Sequence, residues 1–414
     1  MKSVSQHLTI LFSGILFLLL SAISFAGTMI HGAKGAAMGT AFTAIVDDPS
    51  AITTNPAGLT QLTGTNMYGG TTFVFPSTTY ESPSGQSEET DFQVFFPPNL
   101  YLSSDLNTKD VRLGIGIYSP FGIGGRKWNE DGLTRFSSTK SLIATLIINP
   151  TIAYQVLPSL SIGIGLDYML ARNEARQMID QSLFGARDGE FKFKADGDGW
   201  GYNIGILFTP DKKVSFGLAY RNRIKVDFSG TAKLKNIAPP LQPLFGGSEF
   251  RTDVTTEATF PQIVSFGIAY RPTEKWTIAC EAEWVEWSTF HDSDLDFKHE
   301  VPQAGFTDRS KLLDWKDVWD FKVGAEYKVN ERLALRAGYA YSQSMVPEQT
   351  LDASNPDSKQ HYVSAGFGYI FKKFLLDFFY MAGFYEDRKV TNNILSGEYQ
   401  NLYHYIGFDI GKKF

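Results

Sequence analysis

Few residues of this sequence could do chemistry, and their spacing argues against most of what they could support. Asp292, Asp294 and Asp296 recur at every second position, as the first ligands of a calcium loop do, but Phe297 stands where that loop needs a glycine. The run reads instead as an acidic outer segment, one that cations could bridge to a charged surface. His299-Glu300 begins like a zinc-hydrolase helix and continues Val301-Pro302-Gln303, with no second histidine. Gly407 to Lys413 has the glycines and lysines of a phosphate loop without its spacing or hydroxyl, and there is no Gly-x-Ser-x-Gly elbow. The lone cysteine, Cys280, cannot form an internal disulfide. A formal charge of −6 provides no footprint for nucleic acid. No enzyme, metal or cofactor is implied, and without an energy-coupling motif any transport must run downhill.

The elements that hold these residues begin with an export leader. Lys2, the apolar run Leu8 to Leu20 and the small residues of Ser24-Phe25-Ala26 predict cleavage after Ala26, so that 1–26 is a signal peptide. A retained anchor is the alternative, but the run is short for a bilayer span. About 388 residues remain (414 minus 26). No later stretch comes near the roughly 18 to 20 apolar residues of a membrane helix. The longest candidate, Leu142 to Ile148, has seven. The mature chain is therefore a large soluble protein or a barrel. Aromatics at 14% and 38 glycines lean towards the barrel.

From about Thr65 onward the side chains follow a period of two, the signature of β-strands. Leu160, Ile162, Ile164, Leu166, Tyr168 and Leu170 alternate with Ser161, Gly163, Gly165, Asp167 and Met169; Trp319, Phe321, Val323 and Ala325 alternate with Asp320, Lys322, Gly324 and Glu326. Val214 to Arg221 and Val264 to Arg271 nearly coincide, which reads as one lipid-outside, lumen-inside code used twice. Short turns fall near 105–110, 157–159, 210–213, 272–275, 330–331 and 372–373. Long loops fall near 76–90, 121–140, 174–196, 226–255, 291–314, 346–358 and 387–398. These six turns and seven loops join fourteen strands, an even number with short connections at one end, as in outer-membrane barrels. The last strand places Leu402, Ile406, Phe408, Ile410 and the terminal Phe414 on one face, and must close on the first so that no edge is left in lipid. The expected fold is all-β: a 14-stranded antiparallel transmembrane barrel over 64–414, in the outer membrane, monomeric. Residues 27–63 lack the strand code and are expected to form a plug in its lumen; a disordered tail is the alternative.

Gly39 to Ile52, GTAFTAIVDDPSAI, runs into Asn55-Pro56-Ala57-Gly58-Leu59. This resembles the plug of the FadL/TodX family of outer-membrane fatty-acid and hydrocarbon transporters, in which an Asn-Pro-Ala element anchors an N-terminal hatch. Leu113 to Gly122, LGIGIYSPFG, is similar to that family's third strand and its exit, and the terminal Phe resembles the signal read by barrel-insertion machinery. On the residues themselves, Pro56 stops a helix and the Asn55 side chain can satisfy backbone groups at the turn.

The resemblance implies passive uptake of a hydrophobic small molecule, a long-chain fatty acid first and a monoaromatic hydrocarbon as the alternative. From other classes, a general porin and an outer-membrane lipid hydrolase compete. It implies Asn55, Pro56 and Ala57 as hatch anchor, and a kink at Pro120, Gly122, Gly124 and Gly125 that opens the wall sideways to outer-membrane lipid. Those same residues would equally serve to start the outer loop. It implies ligand capture between two outer loops, here Met178, Ile179, Leu183 and Phe184 against Ile237, Leu241, Leu244 and Phe245; the loops could instead pack only on each other. Inside, Met29 and Ile30 would touch the ligand tail and Lys316 would pair with its carboxylate, sharing phase with Asp320 and Lys322. Arg172 resembles a second head-group position, although strict alternation points it outward with Leu170 unless a bulge intervenes.

Overall fold

The computed structural model describes Ile30 and residues 32–121 and 123–414; the leader, Met29 and Gly122 lie outside the described residues. Alternation carries directly into the wall. Its strands are β1 (Thr65–Glu81), β2 (Pro98–Ser104), β3 (Val111–Tyr118 continued by Ile123–Lys127), β4 (Lys140–Leu157) and β5 (Leu160–Ile179). They continue as β6 (Gly189–Phe208), β7 (Val214–Arg221 continued by Ile224–Lys235), β8 (Phe250–Phe260 continued by Ile263–Thr273), β9 (Trp276–Val285) and β10 (Val318–Lys328). The last four are β11 (Leu333–Ser342), β12 (Gln360–Phe371), β13 (Phe374–Tyr385) and β14 (Gly397–Lys413). Each pairs antiparallel with the next, and β14 returns to β1 from Asn66↔Lys413 to Glu81↔Glu398. The fourteen-stranded barrel is closed, so no strand is left as a free edge in lipid.

The two faces separate as the pattern predicts. Trp319 (46% exposed) and Phe321 (50%) point outward while Asp320 and Lys322 are buried inside; Leu402, Phe408 and Ile410 point outward while Tyr403, Tyr405 and Asp409 point in. Such a belt of exposed large apolar side chains is untenable in water and natural in lipid. No described helix is long and apolar enough to cross a membrane. All six short turns lie where expected. The connections expected at 121–140, 174–196 and 226–255 are shorter than expected, because their strands run on, as β5 does to Ile179 and β6 from Gly189, whereas those expected at 291–314 and 346–358 are longer, at 286–317 and 343–359. The outer end of β6 carries exposed Lys192 and Lys194 in the same alternation, as strands must once they rise above the lipid.

Residues 32–63 fill the end of the barrel that carries the short turns, as α1 (Ala33–Ala37), α2 (Ala51–Thr54) and a 3-10 turn Pro56–Gln61. Five- and four-residue helices do not persist alone; the wall holds them. Its inner face offers glycines where the hatch approaches. A Cβ at Gly163 would lie 2.5 Å from the Pro56 carbonyl carbon, one at Gly217 2.1 Å from the Thr43 oxygen, and one at Gly338 2.1 Å from the Gly39 nitrogen.

Candidate functional site

The hatch is tied to the wall mainly through its backbone. Asn55 is fully buried; its Nδ2 donates to Thr43 O (2.9 Å) within the hatch and to Ile206 O (3.0 Å) on β6, and its Oδ1 accepts from Ala57 N (3.2 Å). Pro56 follows at the first position of the 3-10 turn, where its missing N–H costs nothing. Wall side chains complete the seat. Asn203 Nδ2 donates to Ile52 O (2.7 Å), Arg221 Nη2 to Thr53 O (2.9 Å) and Ser215 Oγ to Ala44 O (2.7 Å), while Glu281 Oε2 accepts from Phe42 N (3.0 Å) and Thr43 N (2.8 Å). A cavity of about 50 Å³ between hatch and wall, bordered by Thr40, Phe42, Arg221, Glu283 and Lys322, is too small for a drug-sized ligand.

β3 is interrupted at Ser119-Pro120-Phe121. Pairing with β4 runs to Tyr118↔Ile147 and resumes at Ile123↔Ala144, so β3 holds two residues more than its partner. The excess bends inward. Phe121 is 1% exposed and packs on Phe260 of β8 with ring centroids 4.8 Å apart. On the other side, β2 and β3 pair from Ser104↔Leu113 to Leu100↔Ile117, and among the described residues backbone contact next appears where Asp91 N, before β2, donates to Lys127 O (2.8 Å). Phe92 (82% exposed) and Phe96 (54%) flank that unpaired stretch outside. Gly124 and Gly125 lie beyond the break in the resumed strand; Gly125 approaches Ser141 O so closely that a Cβ would fall 2.0 Å from it.

The outer half of the lumen is aromatic. Phe121, Phe260, Phe290, Trp287 and Trp315 form a chain, with Phe290 5.0 Å from Trp315 and 5.7 Å from Trp287. Buried ion pairs line the lumen: Lys322 with Glu281 (3.1 Å) and Glu283 (2.9 Å), Arg336 with Glu326 (2.8 Å) and Asp377, and Arg221 with Asp167 lie at the hatch, and Lys311 with Asp352 (2.6 Å) lies in the outer connections. Ile30, the first described hatch residue, packs against a second cluster that includes Phe95, Tyr362, Tyr403 and Tyr405.

Two expected lumen cations are elsewhere. Arg172 is on the outer face, paired with Asp196 at 2.6 Å, both about half exposed; pairing of β5 with β4 and β6 is unbroken there, so no bulge turns it inward. Lys316 precedes β10 in the outer connection. Asp314 has a left-handed backbone (φ 51), the strand starts only at Val318, and Lys316 and Asp317 are both exposed, so Lys316 does not share the phase of Asp320. It donates to Asp314 at 2.7 Å, a bond that holds the Asp314 carboxyl below its ordinary range. Lys311, five residues earlier, is the cation of this stretch that faces in. Sequence reasoning missed it because it belongs to a short hairpin, Asp292–Phe297 with Arg309–Leu312, hidden in a charged loop.

The two outer loops meet. Gln181 Nε2 donates to Asn236 O (2.7 Å) and its Oε1 accepts from Ala238 N (2.7 Å), latching the β5–β6 loop to the β7–β8 loop. Ile179, Ile237, Leu241 and Phe245 are buried, Phe184 is half-buried, and Leu183 (74% exposed) and Leu244 (41%) stand at the surface. Met178 and Ile179 lie on the outer end of β5, not in the loop. Phe245 packs on Phe250 and Phe306, 5.3 and 6.2 Å away.

Comparison with known proteins agrees with this geometry. The family described as outer membrane protein transport protein (OMPP1/FadL/TodX) matches residues 18–404. The long-chain fatty acid transport protein of Escherichia coli O6:H1 is 25% identical over 383 residues, 84% of each chain. Among solved structures, a FadL homologue of Pseudomonas aeruginosa superposes with a TM-score of 0.83 at 18% identity, covering 94% of this chain and all of that one. The toluene transporter TodX of P. putida superposes at 0.76 with 20% identity, covering 94% and 99%.

Proposed function

The chain belongs to the OMPP1/FadL/TodX family of outer membrane transport proteins, and from that premise we propose that it carries long-chain fatty acids passively into the cell, by loop capture, lumen binding and hatch-gated lateral release. As a family member it is a transport protein of the outer membrane for hydrophobic compounds, not an enzyme. The observation that carries the finer reading is the pairing of an anchored hatch with a wall interrupted at β3, beside an aromatic lumen. A ligand entering at Leu183 and Leu244 would pass to the Phe290 and Trp315 cluster. It would leave between β2 and β3 past Phe92 and Phe96, without crossing the aqueous periplasm. Each buried methylene contributes about 0.8 kcal/mol, so a long chain needs no covalent step to be held. The fatty-acid relative, matched over 84% of each chain, supports that ligand.

The aromatic chain through Phe121 and Trp315 also suits a flat ring, and the fold match to a toluene transporter makes monoaromatic hydrocarbons the second reading. We place lipid on the outer face and barrel-insertion machinery at β14 as partners, and a single chain as the working unit. Titration of the purified barrel with oleate and with toluene decides between the ligands. Oleate binding at micromolar concentration with weak toluene binding is expected; the reverse order would replace the first reading by the second.

A further inference from the structure

The connection between β11 and β12, residues 343–359, does not project from the mouth of the barrel. Leu351 to Ser358 are buried one after another, whereas connections ordinarily run over the surface. The stretch is held from three sides. Trp128 Nε1, just beyond β3, donates to Ala353 O (2.9 Å), Ser141 Oγ of β4 to Ser354 O (3.0 Å), and Asn401 Nδ2 of β14 to Pro356 O (3.3 Å). On its near side the β9–β10 connection, which leads into β10 beside β11, runs alongside it: Thr350 Oγ1 donates to Leu313 O (2.7 Å) and Lys316 N to Met345 O (2.9 Å). Asp357 folds the loop on itself, accepting from Ser344 Oγ (2.7 Å), Met345 N (2.8 Å) and Val346 N (3.1 Å).

At the centre of this inward stretch Asp352 Oδ2 accepts from Lys311 Nζ at 2.6 Å, with both side chains at least 95% buried. Lys311 lies four residues before Trp315 of the aromatic chain, and Leu351, beside Asp352, is fully buried. A carboxylate on an ammonium with an aliphatic group next to it has the chemistry of a fatty acid's head and first methylenes. We propose that the β11–β12 loop is an autoinhibitory cap, in which Asp352 occupies Lys311 until an incoming ligand carboxylate takes its place and the loop swings out. Separating a buried pair strands a charge and is costly unless a substitute of the same sign arrives. A fatty acid supplies that substitute; a neutral hydrocarbon does not. The cap thus admits carboxylates selectively, an inference that rests on the fatty-acid reading above.

Hydrogen exchange of residues 346–358 in the full-length barrel, with oleate and toluene as probes and calorimetry on the same samples, tests it. Oleate should raise exchange in this stretch and toluene should not. Asp352→Asn should raise exchange without ligand and tighten oleate binding by about tenfold, since the ligand no longer competes with an internal carboxylate. The double variant Lys311→Met with Asp352→Leu should close the cap again and bind oleate more weakly than Asp352→Asn. If oleate binds while the loop stays protected and Asp352→Asn changes nothing, the cap is overturned and the transport reading stands. If oleate binds none of the three proteins, both fall together.

Discussion

Asn55 satisfies backbone groups in two elements at once, Thr43 O in the hatch and Ile206 O in the wall, and no apolar residue of its size can replace both bonds. Asn55→Ala leaves two buried carbonyls without that donor, at about 1–3 kcal/mol for a buried polar group left unsatisfied. The loss falls on hatch seating and not on the barrel, so faster exchange of residues 51–62 is expected with an unchanged barrel melting transition. Arg172 and Lys316 illustrate the opposite case. Each sits in an exposed pair, with Asp196 and Asp314, where solvent screening leaves little net stabilisation. Arg172→Ala and Lys316→Ala should leave oleate affinity unchanged by calorimetry; a tenfold loss in either would put the head group on the outside.

Among the elements, the proposed gating rests on the hatch and β3. Short helices seated on glycines of the inner wall contribute little stability of their own, so removing them should leave the wall intact. Deletion of 27–63 is expected to yield an inserted barrel with larger single-channel conductance in planar bilayers, and unchanged conductance would mean that the outer loops alone close the pore. The two surplus residues of β3 set the second expectation. Deleting Pro120 and Phe121 should restore a continuous register with β4, close the unpaired stretch beside β2 and abolish uptake in cells, while purified protein still binds oleate. Retained uptake would direct release to the periplasm instead.

For the molecule as a whole, stability and assembly rest on closure. β1 and β14 pair over sixteen positions, and the Phe414 amide still donates to Thr65 O (2.9 Å) at the end of the chain. The Phe414 ring, 66% exposed, has little to hold inside the folded barrel. Its loss should therefore reduce the yield of assembled barrel in outer-membrane fractions while leaving the heat stability of whatever assembles unchanged. An equal yield would remove the reading of β14 as the segment that insertion machinery takes up.

Period-two alternation is local, and for that reason the wall was legible from sequence alone: strand count, turns, which face of β5, β10 and β14 meets lipid, and the closing β14. Asn55-Pro56-Ala57 could be read from its residues as a capped turn, because an amide followed by proline stops and caps a turn wherever it is placed; its role as hatch anchor was implied only by the family resemblance. Contacts between residues far apart in the chain decided the rest. A left-handed Asp314 and a strand that begins at Val318 put Lys316 outside and leave Lys311 to face the lumen. The polar stretch Leu351 to Ser358 reads as an ordinary surface loop, and only donors from β4, β14 and the residue after β3 draw it into the mouth. Gly163 and Gly338 look like generic small inward residues until the hatch lies against them. Alternation assigns a side chain to a face; where a break, a loop or a buried charge finds its partner depends on strands that meet only when the barrel closes.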